Sequence, residues 1–145
     1  MAVSDPAFAP IRVLVVDDEV DFATALASRL QRRGFTADAV FTGEDAVRRA
    51  EAGEADVLVL DLKMPGTDGL ETLRRVRRRT PSVRVIVLTG HGTVESGIDG
   101  MQIGAADFLQ KPADIDTLCA AIVTAVGHPA SGDAHANGTR EGAGS

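Results

Sequence analysis

The chain predicts an α/β fold, a single domain built on a doubly wound, five-stranded parallel sheet with five helices. Three observations predict it. Short, unbroken apolar runs recur, among them Val13-Leu14-Val15-Val16, Val57-Leu58-Val59-Leu60 and Val85-Ile86-Val87-Leu88. A strand apolar at every position must be covered on both faces, which is the environment of a parallel sheet. Between the runs, apolar residues recur every three or four positions, the period of a helix. The two patterns alternate along the chain, and that alternation implies right-handed crossovers with helices on both faces.

In order, strands are expected at 11–16, 35–40, 57–60, 83–88 and 106–109. The first helix carries Phe22, Leu26 and Leu30, with Gly34 as its stop signal. The second opens at Thr42-Gly43-Glu44-Asp45, a hydroxyl with an acid three residues on, the pattern of a capping box. The third carries Leu70, Leu73 and Val76 on one face. Its end holds a basic run, Arg74, Arg75, Arg77, Arg78 and Arg79, which suits the negative helix terminus and is expected to be solvated. The fourth carries Val94, Ile98 and Met101 but also Gly97 and Gly100, each costing about 1 kcal/mol against alanine, so it is expected to be the least stable. The fifth starts near Asp114, carries Ile115, Leu118, Cys119 and Ile122, and ends at Gly127. Residues 1–10 are expected to form a flexible arm and 11–127 the folded domain. Residues 128–145 contain no Val, Ile, Leu or aromatic residue, so they cannot offset their ordering entropy and are expected to be a disordered polar tail.

With 145 residues, 44% hydrophobic and 25% charged, the chain has the makings of one globular domain with an ordinary core. A net charge of −6 argues against direct nucleic-acid binding, which requires phosphate neutralisation. The single cysteine, Cys119, allows no intrachain disulfide and reads as a core residue. No apolar stretch approaches the roughly 18 residues that span a bilayer, and the first residues lack the order of a secretion signal. A cytoplasmic location without membrane partners is expected.

The chemistry lies where the strands end. Asp17 and Asp18 follow the first, Asp61 the third, Thr89 the fourth, and Lys111-Pro112 closely follows the fifth. Parallel strands put these ends at one edge, where open α/β sheets hold their ligands. Two carboxylates about 4 Å apart repel by roughly 4 kcal/mol at an effective dielectric of 20, so three together call for a divalent cation. All the candidate ligands are oxygens, which favours Mg²⁺, with Mn²⁺ as a substitute. Carboxylate-held metal, a lysine and a hydroxyl form an oxyanion clamp suited to phosphoryl transfer, with a carboxylate as nucleophile. Asp61, alone at a central strand end, is the best candidate for that role. Taken singly the motifs are weak: Asp17-Asp18 also suits a helix N-terminus, and Lys111-Pro112 a turn.

Val15-Val16-Asp17-Asp18-Glu19, Leu60-Asp61-Leu62-Lys63-Met64-Pro65-Gly66, Val87-Leu88-Thr89-Gly90 and Lys111-Pro112, in this order and spacing, resemble the signatures of the response-regulator receiver domain (CheY-like, flavodoxin-like fold, strand order 2-1-3-4-5) of two-component signalling. The resemblance covers about residues 11–127. It implies that Asp61 accepts a phosphoryl group from a sensor histidine kinase or phosphotransfer protein. Asp18 would ligate Mg²⁺ directly, Asp17 mainly through a bridging water, with Asp61 and the backbone carbonyl of Lys63 completing the protein ligands. Lys111 would contact a phosphoryl oxygen and its bond to Pro112 would be cis. Thr89 would close on the phosphoryl group and Phe108, standing where the family often has Tyr, would turn inward. Gly90 would leave the site accessible, and Lys63 and His91 would tune hydrolysis of the acyl phosphate. The output would be a changed surface on the fourth helix, fifth strand and fifth helix, read by an unnamed protein target or by a second copy in a phosphorylation-dependent homodimer. The chain would be a stand-alone receiver or a piece of a longer regulator or hybrid kinase, catalysing only its own phosphorylation and dephosphorylation. The alternative is a Mg²⁺-dependent phosphohydrolase with an aspartyl nucleophile. Such enzymes usually carry an acid two residues after the nucleophile, where this chain has Lys63.

Overall fold

The computed structural model describes residues 10–63, 69–90, 99 and 101–127. The expected arm and tail, the Pro65-Gly66 turn, His91, and Val94, Gly97, Ile98 and Gly100 of the fourth predicted helix lie outside these residues; Met101, Gln102 and Ile103 are helical.

The elements are β1 (Arg12–Val16), α1 (Val20–Arg32), β2 (Thr36–Val40), α2 (Gly43–Glu51), β3 (Val57–Leu60), α3 (Gly69–Arg79), β4 (Arg84–Thr89), β5 (Asp107–Gln110) and a C-terminal helix (Ile115–Gly127). All strand pairs are parallel and the sheet order is β2-β1-β3-β4-β5. The expected strands and the double winding are therefore present. The pattern of the apolar runs is explained by two separate cores. Leu14, Val16, Leu58, Leu60, Val85 and Val87 point to the side packed by Ala46, Val47 and Ala50 of α2 and Leu73 and Val76 of α3. Their alternates Val13, Val15, Val57, Val59, Ile86 and Leu88 point to the side packed by Leu26 and Leu30 of α1 and Leu118 and Ile122 of the C-terminal helix. The four residues of β3 are all buried, each stabilising the fold by about 1.5–3 kcal/mol relative to exposure.

Strand boundaries differ from expectation by one residue, for local reasons. Phe35 precedes β2 because its N–H closes α1: Phe35 N bonds Leu30 O at 3.2 Å and Gly34 N bonds Gln31 O at 3.1 Å, a Schellman motif with Gly34 at φ 97°. Val83 stays outside β4 because its N–H closes a turn onto Thr80 O at 3.0 Å. Helix α2 has half of the expected capping box. Thr42 Oγ1 accepts from Asp45 N at 3.1 Å, but the Asp45 carboxylate pairs with Arg48. The basic run of α3 is not uniformly solvated. Arg74 and Arg75 pair with Glu71 and Arg79 with Glu51, while half-buried Arg77 turns inward to donate to Pro81 O at 2.9 Å and Val83 O at 3.2 Å. The carbonyls at the approach to β4 take side-chain donors: Arg77 serves Pro81 and Val83, and Arg84 Nη1 donates to Ser82 O at 2.6 Å. Cys119 is partly buried, and that burial pushes its thiol above the ordinary range.

Candidate functional site

The site forms where the backbone ladder runs one residue past the strands. Asp17 N bonds Val40 O at 3.2 Å and Asp61 N bonds Val16 O at 3.0 Å, so the two acids stand side by side beyond the Val16–Leu60 pair. Each follows a residue of the α2/α3 face. Side-chain alternation therefore turns both toward the α1 side of the sheet edge. Lys111 arrives from β5, its N–H bonded to Thr89 O at 3.0 Å.

The structure brings Asp17, Asp18 and Asp61 together: one carboxylate oxygen from each lies within 4.8 Å of the others. Asp17 and Asp61 are only 2% and 6% exposed, and Asp18 is the most accessible of the three. Lys111 Nζ sits among them, 2.7 Å from Asp17 Oδ2 and 3.4 Å from Asp61 Oδ2, with Glu19 Oε1 at 3.3 Å. Each acid also accepts a backbone N–H two residues on: Asp17 Oδ1 from Glu19 N and Asp61 Oδ1 from Lys63 N, both at 3.0 Å. These bonds fix the carboxylate planes and leave the remaining lone pairs toward the cleft.

The electrostatics follow. Burial raises the Asp17 carboxyl above its ordinary range, against the pull of Lys111 and the Glu19 N–H, and the Asp61 charge adds to the rise. Burial by itself would depress the Lys111 ammonium. Its bond to Asp17 and the charges of Asp17 and Asp61 outweigh that and hold it above its ordinary range, so it is a cation at neutral pH. Asp17, Asp18, Asp61 and Glu19 outnumber the single Lys111 ammonium, so the edge carries excess negative charge that a divalent cation would offset. The donor set is entirely oxygen, so the residues present fit a hard ion such as Mg²⁺.

The other predicted residues fall around this centre. Thr89 ends β4 fully buried, at 0% exposure. Gly90 lies against the Lys111 stem; a Cβ there would meet Lys111 Cδ at 3.4 Å. The Lys111–Pro112 peptide bond is cis. Phe108, paired with Val87 in the ladder, is partly buried against the α2/α3 core. Lys63 is exposed, with its N–H committed to Asp61.

Three residues escaped the sequence reading. Glu19, to which the sequence pattern assigns no role, is a partner of Lys111. Phe22, read only as a helix-face residue, has its ring centroid 4.1 Å from Lys111 Nζ. The available signal was spacing: Glu19 and Phe22 are three apart and so share a face at the start of α1. Gly69 opens α3 against the chain leaving Asp61. A Cβ there would lie 2.4 Å from Leu62 Cα, so only glycine permits the approach.

Comparison with known proteins agrees with this geometry. Residues 13–123 match the family model of the response regulator receiver domain. The chain is 41% identical over 110 residues to the transcriptional regulatory protein TcrA of Mycobacterium tuberculosis, covering 76% of this chain and 44% of TcrA. It is 32% identical over 124 residues to the transcriptional regulatory protein ZraR of Escherichia coli, covering 86% of this chain and 28% of ZraR. The chain thus spans less than half the length of either relative. The receiver domain of NtrX from Brucella abortus superposes with a TM-score of 0.75 at 29% identity, covering 81% of this chain and 99% of that one. A response regulator protein from Burkholderia pseudomallei, solved with a phosphorylated aspartic acid, a calcium ion and citrate, gives 0.73 at 29% identity, covering 77% and 66%.

Proposed function

The chain belongs to the response regulator receiver family, and from that premise we propose that Asp61 is its phosphoacceptor, charged in a Mg²⁺-dependent reaction by a sensor histidine kinase or phosphotransfer protein. One observation carries the reading: Lys111 puts its Nζ 3.4 Å from an oxygen of Asp61, inside a cluster of three acids. An Asp61 oxygen attacks the phosphorus; the bond from phosphorus to the donor breaks, and the leaving group departs with its electron pair. Asp17, Asp18, Asp61 and the Lys63 carbonyl would hold Mg²⁺, which supplies neutralisation of the charge on the transferring group. Lys111 follows the charge, moving its hydrogen bonds from Asp17 to a phosphoryl oxygen. Glycine at position 90 leaves room beside the Lys111 stem for that movement.

Thr89 then donates its hydroxyl to the phosphoryl group, and half-buried Phe108 packs further into the α2/α3 core. Lys63, Gly90 and His91 set the lifetime of the acyl phosphate. The output is a changed surface on the fourth helix, β5 and the C-terminal helix, read by a protein target or by a second copy. A new charge at one point biasing a two-state element is the physical form of such switches. No helix among the described residues is long and apolar enough to cross a membrane, and we place the protein in the cytoplasm. The phosphohydrolase reading is not favoured, because Lys63 stands two residues after Asp61, where such enzymes usually carry an acid.

The test is labelling by acetyl phosphate with Mg²⁺. The wild-type chain takes up one phosphoryl group and Asp61→Asn takes up none. Undiminished labelling of Asp61→Asn would overturn the assignment. Steady release of phosphate from small phosphate esters would revive the hydrolase. Size-exclusion chromatography with and without beryllofluoride reads the dimer directly.

A further inference from the structure

We infer that Phe22 is a positioning residue for this reaction, its ring face holding the Lys111 ammonium inside the acid cluster; the inference rests on Asp61 being the phosphoacceptor. Lys111 Nζ lies 4.1 Å from the ring centroid, well within the range at which an aromatic face attracts a cation. The three carboxylates around Nζ, at 2.7, 3.3 and 3.4 Å, match the three N–H donors of an ammonium. The ring is an apolar neighbour that asks for no hydrogen bond. It therefore restrains where the ammonium sits without competing for the donors that the phosphoryl oxygens require.

The ring is a poor candidate for core filling alone. Phe22 is only partly buried, and a cleft of about 170 Å³ opens beside it, lined also by Leu26, Leu88, Pro112 and Leu118. A leucine at position 22 would keep apolar contact with that wall and lose the quadrupole that faces Lys111. Lysine is a flexible point charge on a four-carbon stem, so what limits its wandering decides how often it is in place when the phosphoryl group arrives.

The experiment compares the wild type with Phe22→Leu and Phe22→Tyr, each alone and in a Lys111→Met background. Initial labelling rates are measured across a range of acetyl phosphate concentrations with saturating Mg²⁺. Phe22→Leu should lower the maximal rate roughly 3- to 10-fold at nearly unchanged half-saturation, and Phe22→Tyr, which keeps the ring, should stay near wild type. In the Lys111→Met background Phe22→Leu should cause no further loss, since the group it positions is gone. Proton NMR gives an independent readout: the Lys111 ε-methylene signals lie upfield in the wild type and move downfield in Phe22→Leu. Wild-type rates in Phe22→Leu, an equal loss in Phe22→Tyr, or a loss that persists in the Lys111→Met background would each overturn the inference. Failure of the wild-type chain to label at all would overturn the phosphoacceptor reading itself, and the positioning role with it.

Discussion

The two edges of the sheet carry the same kinds of charged residue and use them in opposite ways. At the amino-end edge, Arg12 and Asp56 pair one to one at 2.9 Å, with side chains 46% and 38% exposed, and the same guanidinium donates to Gly53 O at 2.5 Å. At the carboxyl-end edge, Lys111 is only 15% exposed and is outnumbered by acids, two of them almost fully buried. The amino edge is balanced, solvated and adds little stability. The carboxyl edge is unbalanced and holds two of its acids almost fully buried, which costs stability unless another cation arrives. Binding capacity is located where charge is left over, and structural support where it is matched.

The contrast between the edges is most sensitive to Lys111. Replacing it with methionine leaves buried Asp17 and Asp61 without their cation, and the loss should be on the order of 3 kcal/mol by urea denaturation in the absence of divalent ions. Saturating Mg²⁺ should recover a large part of that loss. A cost that Mg²⁺ does not reduce would mean the edge is not short of positive charge. Next come the glycines. Gly69→Ala drives a Cβ into the Leu62 backbone at the carboxyl edge, for about 1–3 kcal/mol and a weaker Mg²⁺ affinity through the displaced Asp61 loop. Gly53→Ala at the amino edge meets nothing within 4 Å and pays only for its φ of 76°, about 1–2 kcal/mol, with Mg²⁺ affinity unchanged. Equal effects on Mg²⁺ affinity would erase the distinction between the edges.

The smallest expected effect is at Arg12. Arg12→Met should cost less than about 1 kcal/mol at pH 7. Burial would raise the Asp56 carboxyl, but its bonds to Arg12 outweigh that and hold it below its ordinary value of 3.8. Stability from a lowered carboxyl is present above the unfolded value and lost as pH falls through the folded one. The gap between wild type and Arg12→Met should therefore close on acidification below about pH 4. A gap that widens there would contradict the pairing.

The strands were legible because burial on both faces writes itself as continuous Val, Ile and Leu, with no phase to misjudge. Their first residues were not, since Phe35 and Val83 look like strand but spend their N–H groups on a helix cap and a turn. The acids and Lys111 could be assembled from strand ends alone, because parallel topology brings those ends to one edge. Phe22 and Gly69 could not. Each takes its meaning from a segment distant in sequence, Lys111 in one case and the close passage of Leu62 in the other. Arg77 shows the same limit, since its neighbours in the basic run face outward and nothing local sets it apart.

The two cores described above also have a consequence for how such a chain changes over generations. The sheet acts as an insulating partition, with α2 and α3 sealed against one side and α1 and the C-terminal helix against the other. Repacking in one compartment is not transmitted by direct side-chain contact to the other. A substitution in one compartment therefore leaves the packing of the other intact, and the strand-end acids, turned toward the α1 side, border only one of the two.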